Sequence, residues 1–310
     1  MKKNNALHKL TLQGLLKILN ININKLNNVL KSPYHRQYII KNGKRRLIEI
    51  PNTELKALLQ ILCEYLQEIP CPKYNFYGYK GQNAYKNAAA HIGNFAFITT
   101  DISNYFPSTK TKYVKEFLKD TFELEEEVLD ILLKMFTYDG HIPTGAPTSP
   151  ILAFLCHKKL FDEIYSEMTA QGITFTLYAD DITLSSRKGI TNEMIRYIKN
   201  ILLKHELKIK DSKTKHYSYK KALITGYYLH QSGKITVPDS GGESVRKKLQ
   251  INSITEMSLI ETQKLLGKIN YINQIDKKAY ARVRIKAIKH LKKLTRKERK
   301  ASDDTAKQRI

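Results

Sequence analysis

The 310-residue sequence predicts a globular chain of the α+β class. Hydrophobic residues make up 42% of the chain and aromatic residues 9%, which is enough to bury a sizeable core. Strand-like and helical patterns are mixed along the chain, without the strict strand–helix alternation of a doubly wound sheet. The length fits one large domain or two to three small ones.

The first part of the chain, residues 1–94, combines helical periodicity with one strong turn signal. The Asn42-Gly43 dipeptide lies between strand-forming residues and predicts a tight hairpin turn. An Asn or Thr just before an apolar periodic segment is typical of a helix start. The elements predicted here are two short helices within 6–31, a strand–turn–strand over 37–50, and a helix from Asn52 or Thr53 to about Gln67.

The middle part, residues 95–239, contains most of the predicted strands. Pro147 and Pro150 mark the entry to a helix in this part. The elements predicted here are a strand over 94–102, helical segments over 111–137 and 151–169, paired strands over 173–186, a helix over 191–206 and strand-like residues over 222–237.

The last part, residues 240–310, is helical in pattern. It begins at the best linker in the sequence, Ser240-Gly241-Gly242. Ser258 is placed to cap a helix with the sequence LIETQKLLGKINYI, and a basic helix is expected over 277–300.

The chain is strongly basic, and its charge is uneven. It has 53 Lys and Arg residues against 29 Asp and Glu residues, a formal net charge of +24. Residues 1–50 contain 11 basic residues and one acid, and residues 276–300 contain 12 basic residues and two acids. Such segments can be ordinary solvated helix faces, but two of them indicate a polyanionic partner whose phosphates neutralise the charge.

The composition also excludes several classes of protein. No apolar run approaches the ~18 residues of a membrane-spanning helix, so we expect no membrane partner. The N-terminal segment resembles an amphipathic helix rather than a signal peptide. The cysteines Cys63, Cys71 and Cys156 are odd in number and unclustered, which argues against a disulfide framework or a structural zinc site. A cytoplasmic location is the expectation.

Three aspartates are the strongest candidates for chemistry. Asp101 ends an apolar strand, and Asp180 and Asp181 lie at the tip of the predicted strand pair. An Asp pair in a turn is most often only turn chemistry, but here the flanking strands are apolar and rigid. Carboxylates placed together suit Mg²⁺, and two such ions support in-line phosphoryl displacement. In so basic a chain, this pattern indicates phosphoryl transfer on nucleic acid.

Three segments resemble the boxes of reverse transcriptases. Residues 178–181 (YADD) resemble the Y-x-D-D box, residues 101–108 (DISNYFPS) resemble the first palm motif, and residues 143–150 (PTGAPTSP) resemble the segment that packs against template and incoming nucleotide. The resemblance covers roughly 35–235. It implies a right-hand polymerase, with N-terminal helices and fingers over 1–94, a palm over 95–239 with fingers-associated helices over 111–137, and a small basic helical thumb over 240–310.

The resemblance also implies the roles of the carboxylates. Asp101 and Asp180 would bind two Mg²⁺ ions, with Mn²⁺ as an alternative ion. Asp181 would lie beside them, and the carbonyl of Ile102 is a further candidate ligand. Lys213 matches the lysine that protonates the leaving pyrophosphate, which requires it to reach that oxygen within hydrogen-bond distance.

Candidate dNTP contacts follow from the same resemblance. Phe106 falls where the family places the ring that excludes a ribose 2′-OH, although it can also be a core aromatic residue. Lys44, Arg45 and Arg46 resemble the fingers hairpin that grips the triphosphate, and Arg46 matches the pattern R-x-I-x-x-P best. The alternative for these three residues is an ordinary solvated turn.

The box over 143–150 departs from the family in one position. The family usually has P-Q-G here, and in this sequence Thr144 replaces the glutamine before Gly145. A shorter side chain contacts less of the nucleotide, so the details of dNTP binding stay open.

Two further segments resemble retron reverse transcriptases. Asn87 and His91 match the N-A-x-x-H signature of these enzymes, and Ile224, Thr225 and Gly226 stand where they carry V-T-G. The resemblance implies that both segments bind the enzyme's own structured RNA. As alternatives, the histidine can be a satisfied core residue and the Thr-Gly pair a strand bulge.

The predicted thumb carries the remaining candidate RNA contacts. Lys268 and Tyr271 lie on adjoining faces of the helix that Ser258 caps, which suits the wide minor groove of an A-form duplex. The basic helix would follow phosphates without reading sequence. Its candidate contacts are Arg282, Arg284, Lys286 and Lys289.

These resemblances imply a retron reverse transcriptase. Such an enzyme copies its cognate structured non-coding RNA with dNTPs, starts from the 2′-OH of an internal guanosine, and stays bound to the branched RNA–DNA product, msDNA. Retrons act in anti-phage defence with an effector protein, which is a further expected partner. The alternatives are a compact bacterial reverse transcriptase of the diversity-generating or abortive-infection type, and a non-catalytic RNA-binding protein with a polymerase fold.

Overall fold

The computed structural model describes two compact units, Met1–Lys220 and Lys221–Ile310. Within them it describes residues 5–41, 43–218, 220–238, 245 and 254–307, with side chains except at Lys41, Lys44 and 298–307. Asn42 and the predicted linker Ser240-Gly241-Gly242 lie outside the described residues. The division into 1–94, 95–239 and 240–310 stays a prediction.

The first unit contains ten helices and six strands among its described residues. The helices are α1 (Leu12–Leu19), α2 (Ile23–Lys31), α3 (Thr53–Leu66), α4 (Ala84–Ala89), α5 (Tyr105–Ser108), α6 (Thr111–Phe122), α7 (Glu126–Phe136), α8 (Ser149–Cys156), α9 (Lys158–Ala170) and α10 (Asn192–Lys204). The strands are β1 (Tyr34–Lys41), β2 (Lys44–Pro51), β3 (Ala96–Asp101), β4 (Thr174–Tyr178), β5 (Asp181–Ser186) and β6 (Lys215–Ser218). The predicted α+β class is therefore confirmed.

Local sequence explains where several helices begin and end. The side chain of Asn52 accepts a hydrogen bond from the backbone N–H of Leu55 (2.8 Å) and so caps α3, as predicted. The helical segment predicted over 111–137 consists of α6 and α7, because Glu123 adopts a left-handed φ of 50° that ends the first helix. The segment predicted over 151–169 is also two helices, α8 and α9, which meet at His157.

A four-stranded antiparallel sheet in the order β4-β5-β3-β6 supports the candidate site. Phe175 and Leu177 on β4 lie opposite Leu184 and Ile182 on β5, and all four side chains are buried in the hydrophobic core of this unit. Since successive side chains in a strand point to opposite faces, the residues between them form the second face of the hairpin.

That second face is buried as well, but it is polar. Thr176, Thr183 and Ser185 are buried there, and His91 is fully buried as well. The His91 Nδ1 lies 2.6 Å from the Ser185 Oγ, and its Nε2 lies 2.7 Å from the Thr176 Oγ1. His91 therefore joins β4 to β5 through both ring nitrogens. Burial lowers the pKa of His91 to about 3, so the ring is neutral near pH 7.

The second unit contains a small sheet and two long helices among its described residues. Its strands are β7 (Ala222–Ile224), β8 (Tyr227–Leu229) and β9 (Ile235–Thr236), and its helices are α11 (Leu259–Ile272) and α12 (Ala281–Lys307). Ser258 caps α11 in a capping box with Glu261, as its position predicted. Leu265 and Ile269 of α11 and Ala287 of α12 belong to the core of this unit.

In the described part of the chain, every helix is too short or too polar to cross a membrane.

The buried histidine predicts a pH-dependent stability. The folded protein holds His91 neutral, whereas the unfolded chain protonates it below about pH 6.5. The unfolded state therefore binds more protons, and stability is lost as the pH falls from about 6.5 towards 3. We expect His91→Gln to shallow this loss by about 1.4 kcal/mol per pH unit. Urea unfolding between pH 7 and 5 would measure the slope, with His35→Gln as the exposed-histidine control; equal slopes for wild type and His91→Gln would contradict the assignment.

Candidate active site

The register of the four-stranded sheet brings the three predicted aspartates to one end of the β4–β5 hairpin. Asp101 is the last residue of β3 and pairs directly with Asp181, the first residue of β5. Asp180 lies in the turn between β4 and β5, where its carbonyl accepts a hydrogen bond from the Ile102 N–H (2.8 Å). Ala179 reaches this turn with a left-handed φ of 55°. The turn is thus held against β3 by backbone contacts, whatever the carboxylates bind.

A neighbouring segment brings Lys213 to the same place. The carbonyl of Asp101 accepts from the Lys210 N–H (2.8 Å), and the N–H of Ser103 donates to the Lys208 carbonyl (2.7 Å). The short 3₁₀ helix Asp211–Lys213 follows, and the Lys213 Nζ forms an ion pair with the Asp101 Oδ2. The structure therefore brings the predicted general acid into contact with a predicted metal ligand.

The nearby cations do not fully offset the negative charge of the clustered aspartates. Burial raises the pKa of Asp181 well above its usual range, and a hydrogen bond with Asp101 and the charge of Asp180 add to the rise. Burial also raises the pKa of Asp180, while Lys213 and Arg46 oppose that rise. The ionised carboxylates are therefore costly as they stand, and a further cation would stabilise them.

The donor chemistry of these residues fits a hard divalent cation, which prefers carboxylate and carbonyl oxygens. However, within the described residues, no three carboxylate, imidazole or thiol groups are arranged as a ready-made metal site. In this structure the carboxylate of Asp101 pairs with the ammonium group of Lys213 and shares a hydrogen bond with the carboxyl of Asp181. These contacts use oxygens that a metal ion would need. The metal-binding roles of Asp101, Ile102, Asp180 and Asp181 stay predictions.

Of the predicted hairpin cations with described side chains, Arg46 is the one that acts on the carboxylates. Its positive charge opposes the rise in the pKa of Asp180 that burial causes. The guanidinium of Arg45 lies 3.7 Å from the centre of the Tyr38 ring. Because adjacent residues in a strand point to opposite faces, Arg45 and Arg46 point to opposite sides of the hairpin. Lys44 begins β2, and its side chain lies outside the described part.

Phe106 lies on α5, just after the strand that ends in Asp101. Its ring is partly buried against the core and lies 5.7 Å from the ring of Tyr105. This position is compatible with both readings from the sequence, a core aromatic and a ring beside the incoming nucleotide, so the role of Phe106 stays a prediction.

A groove lined by Tyr178, two residues before Asp180, was not predicted from the sequence. Tyr178 packs edge-on against Tyr77, with ring centres 4.8 Å apart, and both rings line an open groove of about 870 Å³. Gln82, Pro147 and Pro150 also line it. The signal available in the sequence was the aromatic run YNFYGY over 74–79, but its proximity to Tyr178 is set by the backbone bonds between 74–76 and Leu177.

The segment 143–150 contacts β2 rather than standing apart from it. The Thr144 Oγ1 accepts a hydrogen bond from the Glu49 N–H (3.1 Å), and the Gly145 N–H donates to the Glu49 carbonyl (2.9 Å). A Cβ at Gly145 would lie 2.5 Å from that carbonyl oxygen, so only glycine fits this approach. The Thr144 hydroxyl, at the position where the family usually has glutamine, therefore bonds the protein's own backbone.

The N-A-x-x-H residues do not reach the surface. Asn87 and His91 are both fully buried, and both ring nitrogens of His91 are used between β4 and β5. The prediction that these side chains bind RNA gains no support from this geometry, because neither presents a polar atom to a ligand. The alternative of a satisfied core histidine agrees with the contacts of His91.

The Ile-Thr-Gly segment forms a hairpin turn rather than a strand bulge. Ile224 is buried at the end of β7, and Thr225 and Gly226 have φ values of 44° and 93°. Positive φ at both central residues is the signature of a two-residue hairpin turn. The hydroxyl of Tyr271 donates to the Gly226 carbonyl, and the Tyr227 hydroxyl donates to the Tyr271 carbonyl (3.1 Å).

The remaining predicted RNA contacts lie on α11 and α12. Lys268 is half-buried, and the four basic residues predicted on the last helix are exposed. These exposed residues are Arg282, Arg284, Lys286 and Lys289. The Arg284 Nε also donates to the Asn270 Oδ1 (3.0 Å), which ties α12 to α11.

An antiparallel sheet that pairs Asp101 with Asp181 beside Asp180, with Arg46 of the basic β1–β2 hairpin acting on Asp180, has the form of a polymerase palm. The family model described as reverse transcriptase (RNA-dependent DNA polymerase) matches residues 29–229. The chain belongs to this family.

Curated relatives of this chain include several retron reverse transcriptases. The Retron Se72 reverse transcriptase of Salmonella heidelberg (strain 579083-10) is 28% identical over 214 residues, which cover 66% of this chain and 56% of that protein. The Retron Ec86 reverse transcriptase of Escherichia coli is 28% identical over 260 residues, which cover 82% of this chain and 78% of that protein. The chain spans about half the length of the first of these relatives. The predicted resemblance to retron reverse transcriptases is confirmed.

The fold is similar to that of a telomerase. A solved structure of telomerase from Candida albicans, in complex with a fragment of telomeric RNA, matches with a TM-score of 0.51 at 10% identity. The match covers 83% of this chain and 56% of that chain. At this identity the likeness shows the fold alone, and it agrees with the predicted right-hand polymerase class.

The crowded carboxylates predict a trade-off between stability and site chemistry. In metal-free buffer, we expect Asp181→Asn to raise the free energy of unfolding by about 1–3 kcal/mol, because an amide can keep the hydrogen bond to Asp101 without the charge. Chemical denaturation with a chelator present would measure this difference. Asp211→Asn, which removes an exposed acid paired with Lys199, is the matched control and should not stabilise the chain. If Asp181→Asn is less stable than wild type, the inference that repulsion among the carboxylates destabilises the fold is wrong.

Proposed function

We propose that this protein is a retron-type, RNA-directed DNA polymerase that copies a structured RNA to which it stays bound. The observation that carries the proposal is the placement of Asp101 opposite Asp181 and beside Asp180, with Lys213 paired to Asp101 and Arg46 close enough to oppose the rise in the pKa of Asp180. The relatives named above support the retron type.

In this proposal the three aspartates serve one purpose. Asp101 and Asp180 would hold two Mg²⁺ or Mn²⁺ ions, with Asp181 beside them and the Ile102 carbonyl as a further ligand. When bound, such ions stabilise the attacking and leaving oxygens of an in-line displacement. The raised pKa values of Asp180 and Asp181 support cation binding, because a cation offsets the cost of ionising them.

The cations of the site would handle the triphosphate. Arg46 would bind it from the hairpin, with Lys44 and Arg45 near it on β2. Lys213 would leave its ion pair with Asp101 and donate a proton to the pyrophosphate oxygen as that group departs. Phe106 would exclude a ribose 2′-OH and so favour dNTPs, with Thr144 and Gly145 beside the nucleotide.

The RNA would be held mainly through its phosphates. The exposed basic residues of α12 offer such contacts without sequence preference. Lys268, Tyr271 and the turn at Thr225-Gly226 would contact the template–primer duplex from the second unit. Asn87, His91 and Ile224 are buried, so each would support RNA binding only by holding the backbone of its own unit. Synthesis from a guanosine 2′-OH to give msDNA, and a defence role with an effector protein, complete the proposal on the strength of the retron resemblance.

The polymerase activity is tested by neutralising the turn. With a supplied primer–template, dNTPs and Mg²⁺, we expect Asp180→Asn combined with Asp181→Asn to lower extension by at least about 1,000-fold, because the charge that binds the cations is lost. Asp120→Asn, which breaks a surface ion pair with Lys159, is the control and should extend like wild type. Chelation of the metal should abolish extension in all three proteins. Extension by the double variant would refute the assignment.

The retron type is tested by the nucleic acid that co-purifies with the protein. We expect expression with the upstream flanking DNA to yield a short DNA whose gel mobility changes after treatment with debranching enzyme, because its 5′ end would be joined to a 2′-OH. RNase and DNase treatments would identify the two strands. Bound RNA without DNA, in a protein that extends supplied primers, would instead favour a diversity-generating or abortive-infection type. Neither DNA nor extension would favour a non-catalytic RNA-binding protein.

A further inference from the structure

Glu49 is a buried acid that none of the roles above uses. It lies on β2, three residues after Arg46, and is 4% exposed. Within the described part of the chain, Glu49 and Asp101 are the two acidic residues that are buried. A buried carboxylate is costly unless it is paired and hydrogen-bonded, so its surroundings should explain why it is there.

The side chain of Glu49 joins two separate parts of the fold. Its Oε2 lies 3.1 Å from the Nε2 of His141, and its Oε1 lies 3.9 Å from the Nε of Arg36 on β1. Arg36 continues to Asp139 through a hydrogen bond of 2.5 Å between Nη2 and Oδ2. The His141 Nδ1 lies 3.0 Å from the carbonyl oxygen of Asp139. The carboxylate of Glu49 is thus the centre of a network that links the β1–β2 hairpin to the turn before the segment 143–150.

The backbone of Glu49 joins the same two parts. Its N–H donates to the Thr144 hydroxyl, and its carbonyl accepts from the Gly145 N–H. One residue of β2 therefore contacts the segment 143–150 through its N–H and its carbonyl, and contacts His141 through its carboxylate. We call this set of contacts the Glu49 lock.

The outer part of the β1–β2 hairpin is largely exposed, so it depends on the contacts nearer its base. A two-stranded ribbon is marginally stable by itself, and Tyr38 and Ile40 on β1 are 56% and 82% exposed. At its base, the Tyr34 hydroxyl donates to the Met135 carbonyl (2.6 Å). The Glu49 lock lies between that base and Arg46, where it can set the direction in which the strand leaves the core.

We propose that Glu49 is a positioning residue that fixes Arg46 for the dNTP triphosphate by locking β2 to the segment 143–150. The inference rests on the proposed polymerase function and concerns how its nucleotide site is held. It also accounts for Thr144, since a hydroxyl at this position fills a backbone contact that the lock requires. Glu49 itself touches no substrate.

The test is steady-state primer extension with wild type, Glu49→Gln and Glu49→Ala. If Arg46 loses its fixed position, dNTP binding weakens while the chemistry of bound dNTP is kept, so KM for dNTP rises without a matching fall in kcat. We expect KM to rise about tenfold for Glu49→Ala, the size of one lost charge-assisted hydrogen bond, and less for Glu49→Gln, which can still accept from His141. The KM for primer–template should not change.

Two further comparisons separate positioning from general stability. Asp162→Asn removes a carboxylate that bonds Tyr74 and, on its own helix α9, Lys158, and should leave the KM for dNTP unchanged even where it lowers stability. Thr144→Val removes the hydroxyl acceptor and should raise the KM for dNTP, while Thr144→Ser should restore it. These variants also test the lock if Glu49→Ala does not fold.

Hydrogen exchange gives a readout that does not need activity. We expect the backbone N–H groups of residue 49 and Gly145 to exchange about tenfold faster in Glu49→Gln than in wild type, because local opening becomes easier. If wild type fails to extend primers, the proposed function fails, and the exchange rates still decide whether the lock exists. Wild-type extension together with an unchanged KM for dNTP in the Glu49 and Thr144→Val variants would overturn the positioning role.

Discussion

The repulsion among three carboxylates at the end of one sheet is the constraint on which the rest of the first unit depends. Asp101 and Asp181 face each other in register, and Asp180 is held beside them by a backbone bond to Ile102. Such an arrangement persists only where the surrounding structure over-determines it. The apolar face of the hairpin, its hydroxyl face bonded to His91, and the pairing of β3 with strands on both sides supply that rigidity.

Much of this site could be predicted because it is encoded locally. The aspartates follow short apolar strands, and a tight turn must place Asp180 and Asp181 at the tip of their hairpin. Asn52 and Ser258 were recognisable as caps because a cap acts on the next three residues. The relation between Asp101 and Asp181, 80 residues apart, came from resemblance to a family and could not be obtained from local patterns.

Contacts between distant parts of the chain determine what two of the buried residues do. The family resemblance implied that His91 binds RNA, and the contacts of its ring are with Thr176 and Ser185, which lie 85 and 94 residues further along the chain. Glu49 drew no attention because its ordinary strand position gives no sign of His141 and Thr144, which lie 92 and 95 residues away. In each case burial and pairing, which no periodicity reveals, determine what the side chain does.

The strand order of the palm sheet also has a consequence for how the protein is made. β3 lies between β5 and β6, both of which are synthesised long after it. On the ribosome, β3 therefore emerges with two unpaired edges and waits for about 80 residues before its first partner is complete. Long-range pairing of this kind is slow and exposes strand edges. The site consequently assembles late in synthesis, after the helices between β3 and β5 have been made.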